Sequence, residues 1–256
     1  MERELIMASG LAEALELKDE NTSFFAGGTG IGYKDSGIRT KRWIPVPDVP
    51  GIREIAGEDG LIRIGALVTF TQALEHPDVP CWLKEALRFC GSLQKRNSAT
   101  VGGNVASWRS DSYLIPTLIA AGARICLEEK TGSSVIGIDQ YAKEREERRG
   151  ALITAVLVKP AKDDSLKVLS KRYANTVESH AYLTIAVGRE QDTYRIGLAI
   201  KGSGIFLPEI TNWGVSWKKA GVRDDMFGSE EYKRYLAGTT LEDLYEKLSA
   251  EGGTGA

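Results

Sequence analysis

Two glycine-rich segments constrain this chain more than any other feature: Ala26-Gly27-Gly28-Thr29-Gly30-Ile31-Gly32 and Thr100-Val101-Gly102-Gly103-Asn104. Each borders an apolar run, so each reads as a tight turn at the end of a buried element. Glycine reaches left-handed dihedrals at little steric cost, and successive N–H groups in that geometry form a concave nest for anionic oxygens. A single Gly-Gly pair is an ordinary turn. Two such turns with bare N–H groups suit a ligand carrying two phosphates, and the reading is a dinucleotide pyrophosphate gripped from both sides. A Rossmann turn is disfavoured. Gly28-Thr29-Gly30-Ile31-Gly32 imitates part of Gly-x-Gly-x-x-Gly, but the third glycine is misplaced and no long helix with an acidic residue beyond it follows.

The 256 residues suffice for one large or two modest domains. A net charge of −2 offers no basic face for nucleic acid. No stretch approaches the roughly 18 apolar residues of a membrane span. The start, Met1-Glu2-Arg3-Glu4-Leu5, lacks the basic-then-apolar order of a secretory signal, so a cytoplasmic location is the expectation. Cys81, Cys90 and Cys126 are too few and too scattered for a disulfide framework or an iron–sulfur cluster. With only His76 and His180 besides, no metal site is expected on this chain and no catalytic dyad is evident.

Helical spacing predicts helices at Leu11–Leu17, from an N-cap at Thr69 to about Glu75, at Trp82–Gly91, and at Leu114–Ala121 with Pro116 in the first turn. Strands are expected at Ser23–Ala26, Leu61–Ala66, Ala123–Leu127, Leu152–Val158, Leu166–Leu169, Tyr182–Val187 and Tyr194–Ile200. The three prolines of Ile44–Pro50 suggest an extended connector. Lys143–Arg149 is a charge run, read as a solvated helix face or loop. Two helices are expected to close the chain, around Glu230–Leu236 and Leu241–Leu248. Strands followed by terminal helices suggest an α+β domain after a polar break near Pro160.

The segment from Arg96 through Ser107, leading to Pro116 and Ala121-Gly122-Ala123, resembles a signature of the FAD-binding subunits and domains of the molybdenum hydroxylases, such as xanthine dehydrogenase and carbon monoxide dehydrogenase. The resemblance runs from about Ala12 to about Leu248 and is nearest to the compact flavin subunits of bacterial xanthine-dehydrogenase-like enzymes. It implies a two-lobed FAD-binding domain over 1–160, its lobes split near residue 57, followed by a small α+β domain over 165–250. By resemblance, Phe24, Phe25, Ala26, Gly27, Gly28, Thr29, Gly30 and Ile31 would wrap the pyrophosphate and ribose. Thr100, Gly102, Gly103 and Asn104 would hold the other side, and Ser107 and Cys90 would line the site. Lys171 or Arg172 would bring a basic group toward the flavin. Relatives commonly carry an acidic residue where Tyr113 stands here; Asp111 is two residues upstream.

The implied activity is electron transfer. Substrate is hydroxylated at molybdopterin on a large partner subunit, and electrons pass through iron–sulfur clusters on a small partner subunit to FAD. The flavin then reduces NAD or another acceptor. Two alternatives stay open: a self-contained FAD-dependent oxidoreductase, or a non-catalytic nucleotide-binding module. His180 reads as a strand-end surface residue. Trp43, Trp108, Trp213 and Trp217 read as anchors of a lobe or a subunit contact, or as shields for a flavin ring.

Overall fold

The structure is a computed structural model and describes residues 4–31, 40–176, 179–208 and 221–250. The chain divides into two compact units, each assembled from three stretches of sequence. One comprises Met1–His76, Leu93–Ser107 and Arg124–Leu157; the other comprises Pro77–Ser92, Trp108–Ala123 and Val158–Ala256.

The first unit holds two sheets. Strands β1 (Glu4–Leu5) and β2 (Thr22–Phe25) flank β3 (Arg42–Pro45), both in parallel register. Helix α1 (Leu11–Leu17) lies between β1 and β2 in the chain and buries Ala14 and Leu15. The second sheet has the order β4 (Ile55–Glu58), β5 (Leu61–Gly65), β8 (Leu152–Val158), β6 (Arg124–Glu129), β7 (Gly132–Gly137). β8, apolar except for Thr154, is buried along its whole length, as a central strand covered on both faces requires. Helix α2 (Phe70–Glu75) starts at the expected Thr69 cap, and a full capping box forms with Gln72. Helices α4 (Leu93–Ser98), α5 (Val101–Ser107) and α7 (Ile138–Glu144) complete this unit. The charge run after α7 is tied down by Arg148, which pairs with Glu144 at 2.8 Å and with Glu129.

In the second unit a four-stranded antiparallel sheet, β9 (Leu166–Tyr173), β10 (Leu183–Glu190), β11 (Thr193–Ile200) and β12 (Gly204–Phe206), is covered on both faces. Leu183, Ile185, Val187, Ile196, Leu198 and Ile200 face helix α8 (Glu230–Ala250) through Ala237, Leu241, Leu244 and Leu248. The opposite face, with Leu166, Val168 and Ala186, packs on Trp82 of α3 (Cys81–Arg88) and on the end of α6 (Leu114–Ala120). Every residue of α6 is buried, and all but Thr117 are apolar; the Thr117 hydroxyl is satisfied by the Tyr113 carbonyl. The helix lies directly on the strands. A Cβ at Gly188 would come 2.7 Å from the carbonyl carbon of Ala120, and one at Gly197 would come 2.7 Å from Pro116 Cα.

Two expectations are corrected. The closing pair of helices is one helix of 21 residues, α8. Gly238 does not break it, because Ala237, Thr240 and Leu241 are buried against the sheet and packing outweighs the roughly 1 kcal/mol of lost propensity. Thr239 bonds back to the carbonyl of Tyr235 at 3.0 Å, so its hydroxyl is satisfied within the helix. The proline-rich connector begins only after Pro45, since Ile44 and Pro45 pair with Phe24 and Phe25 in the sheet.

Gly197→Ala is expected to destabilise the protein by on the order of 3 kcal/mol, because the methyl group meets helix backbone that cannot rotate away. Gly57→Ala, where a Cβ meets nothing within 4 Å, should stay within about 0.5 kcal/mol. Urea midpoints of the two variants check the difference.

Candidate functional site

The two glycine segments meet within the first unit. β2 ends at Phe25, and the chain continues through Ala26–Ile31, all half-buried. Gly28 adopts φ +70, a left-handed turn, and Ile31 N–H closes onto its carbonyl at 3.2 Å. Gly27 faces the chain leading into the second segment. A Cβ there would lie 2.8 Å from the carbonyl carbon of Ser98 and 3.4 Å from Thr100 Cγ2. A Cβ at Gly103 would in turn lie 3.6 Å from that of Ala26. Gly32, the last glycine of the first segment, falls outside the described residues.

The second segment is not the open turn its glycines suggest; Val101–Ser107 is helix α5. Its first-turn donors are already used. Val101 N–H donates to Val68 O and Gly102 N–H to Ala66 O, each at 3.0 Å. Gly103 N–H donates to Thr100 Oγ1 at 3.1 Å and Asn104 N–H to Thr100 O at 3.0 Å. A nest of bare N–H groups at Thr100–Asn104 is therefore corrected to a satisfied helix start. The glycines serve close approach instead: a Cβ at Gly102 would stand 2.8 Å from Ala66 Cα. Thr100 is buried as the cap, and the Ser107 hydroxyl donates to Asn104 O at 2.8 Å.

The first segment differs. Among the described residues, the N–H groups of Ala26, Gly27, Gly28, Thr29 and Gly30 donate to no protein acceptor. This loop of unspent donors, braced from behind by Ser98 and Thr100, fits oxygen-rich anions.

The second unit gathers Cys90, Arg172, Phe89 and Tyr113. The Arg172 guanidinium lies 3.9 Å from the Phe89 ring centroid and 5.2 Å from that of Tyr113. The two rings meet edge to face at 6.3 Å and 73°. Cys90 adjoins Phe89 and is half-buried. Strand parity separates the two basic candidates: Lys171 shares the side of Leu169 and Tyr173, which pack on the α8 cluster, whereas Arg172 takes the α3 side. Phe89 went unnoticed in sequence; its one signal was its position at the end of α3, beside Cys90.

Tyr113, at the N-cap of α6, donates its hydroxyl to Ser179 O at 2.6 Å. Burial pushes its phenol above the ordinary value despite the pull of Arg172, so it stays a neutral donor. Asp111 is only 7% exposed and receives Arg109 in a bidentate pair at 2.9 and 2.7 Å. His180, half-exposed ahead of β10 as a strand-end residue, also brings Nδ1 to 3.5 Å from the same carboxylate. Burial opposes ionisation of Asp111, yet the hydrogen bond and charge of Arg109, with His180 and Lys201, prevail and hold its carboxyl below the usual carboxylate range. Trp108 takes φ +43 at the head of this segment, and the Trp43 ring packs edge-on to Phe25 at 6.4 Å. Trp213 and Trp217 lie outside the described residues.

The sign of the Asp111 contribution follows from linkage. A depressed carboxyl adds stability above its unfolded pKa of about 3.9, and that stability is lost as pH falls through the folded value. Asp111→Asn is expected to lower stability by about 1–3 kcal/mol near neutral pH and to flatten its decline below about pH 4. Denaturant midpoints measured across that range check both.

The model of the FAD binding domain in molybdopterin dehydrogenase matches residues 1–160. The protein YgfM of Escherichia coli (strain K12) is 26% identical over 253 residues, covering 94% of each chain. The xanthine dehydrogenase FAD-binding subunit of Escherichia coli O157:H7 is 32% identical over 123 residues, 44% of this chain and 41% of that one. Among solved structures, a chain of carbon monoxide dehydrogenase from Hydrogenophaga pseudoflava has the same fold, with a TM-score of 0.80 at 19% identity and 96% of each chain covered. A family model spanning well over half the residues places the chain: it belongs to the family of FAD binding domains in molybdopterin dehydrogenases.

Proposed function

We propose that this chain is the FAD-binding, electron-transfer subunit of a molybdenum hydroxylase complex of xanthine-dehydrogenase type. Its partners are a large molybdopterin subunit and a small iron–sulfur subunit, and NAD is the favoured acceptor. The observation that carries the reading is the Ala26–Gly30 loop, whose N–H groups have no protein acceptor among the described residues and whose glycines leave the backbone bare. The donor set fits a pyrophosphate. Family membership identifies which pyrophosphate compound that is.

When bound, FAD supplies the redox chemistry, and the protein supplies binding, orientation and electrostatics. Ala26, Gly27, Gly28, Thr29 and Gly30 donate to the phosphates, with Phe24, Phe25 and Ile31 as the apolar flanks of that loop. Thr100, Gly102 and Gly103 act as the floor that sets the loop's height, and Asn104 and Ser107 continue that floor along α5. Of the two basic residues, Arg172 takes the flavin role and Lys171 does not, and Cys90 lines the site beside Phe89. The FAD-subunit naming of a relative supports a heteromeric assembly.

Titration of the purified protein with FAD tests the reading, followed through flavin fluorescence and bleaching by dithionite. Saturable 1:1 uptake of a reducible flavin is the expected result. A protein that takes up no FAD sinks the proposal. Gly28→Val should weaken FAD by about tenfold or more, because a β-branched residue opposes the left-handed turn that aims the donors. Its circular dichroism should match that of the unsubstituted chain.

A further inference from the structure

We infer that Tyr113 is the positioning residue for Arg172, holding its guanidinium in one orientation. The inference rests on the reading of this chain as FAD-binding.

Arg172 stands one residue from the end of β9, half-buried, and a long side chain at such a place samples many rotamers. Here its freedom is removed from two directions. The guanidinium lies 3.9 Å from the centroid of Phe89 and 5.2 Å from that of Tyr113. Cation–π attraction acts over the ring face within about 6 Å, so two rings meeting at 73° restrict the guanidinium to poses that serve both. The Tyr113 phenol in turn feels the guanidinium, which pulls against the rise that burial causes.

Tyr113 can hold Arg172 because it is itself held. Its own proton goes to Ser179 O at 2.6 Å. His180, the next residue, is tied to Asp111, and Asp111 is fixed by Arg109. The backbone of Tyr113 caps the fully buried α6, and Thr117 Oγ1 donates to its carbonyl at 3.0 Å. Every one of these supports of the phenol is supplied by the chain itself. An arginine ordered in advance loses less entropy on binding, which appears as affinity, and its charge reaches the cofactor in a fixed direction, which appears as redox potential.

The test is a double-mutant cycle on the full chain, with FAD dissociation constant and flavin midpoint potential as readouts. Tyr113→Leu should raise the dissociation constant about tenfold and move the potential to more negative values. In an Arg172→Met background the same substitution should change the dissociation constant less than about twofold, because its route of action is gone. Arg172→Lys keeps the charge but cannot lie flat between the rings, and it should resemble Tyr113→Leu more than the unsubstituted protein. Tyr113→Phe retains the core packing and serves if the leucine variant does not fold; losing only the hydroxyl, it should shift both readouts in the same direction by less. Unchanged values in the Tyr113 variants, or equal shifts in both Arg172 backgrounds, overturn the inference. Failure of the unsubstituted protein to bind FAD overturns the functional reading instead, and does so before any substitution is made.

Discussion

Backbone resting on backbone, with no side chain between, sets the geometry of both units. In the first, Gly27 lies against the Ser98 carbonyl and Gly102 against Ala66. In the second, Gly188 and Gly197 let α6 sit on β10 and β11 at Ala120 and Pro116. Each contact removes the methylene-thick layer that normally separates packed elements. A close-packed interior cannot absorb that thickness elsewhere, so the neighbouring side chains are sized to it. The donor loop at Ala26–Gly30 inherits its position from this arrangement. Its glycines therefore answer to two demands at once, close approach on one side and open N–H groups on the other.

Much of this was legible in the sequence, and the failures have physical causes. A hydroxyl cap at Thr69 gave the helix to Glu75, and the largely apolar run Leu152–Val158 read as a strand, as the structure shows. The Gly102–Gly103 pair did not read as a helix, because glycine is a poor helix former and the acceptors that stabilise the first turn, Ala66 O and Val68 O, lie more than thirty residues earlier in the chain. Gly188 and Gly197 gave no signal, for a strand glycine looks the same whether it meets solvent or a helix. Lys171 and Arg172 could not be separated until the register of β9 assigned each to a face. The first donor loop was legible because its chemistry is local: glycine, strand end and bare N–H groups are all within six residues.

The second unit keeps its buried charges at the joints between elements. Asp111 stands just before α6, and Lys233, 1% exposed, reaches back from α8 to Asp225 at 2.7 Å and to the Arg223 carbonyl at 2.8 Å. Each buried ion is paired and also tied to a segment with little apolar surface of its own. Ion pairs in such places add little to the core. They fix irregular chain where hydrophobic contact has nothing to grip, and breaking one partner leaves an uncompensated charge inside.

The interleaving of the two units bears on how the chain is made. Helix α6 is buried on every side, yet the strands that cover it, β10 and β11, begin more than sixty residues later. As the polypeptide emerges from the ribosome, α6 and α3 are complete while their sheet is still unsynthesised. The nascent chain must shelter that surface until Ile200 has appeared, and contacts this distant in sequence close slowly. The stretch matched by the family model ends at residue 160, before any strand of that sheet. The sheet that covers one side of α6 thus lies wholly beyond it.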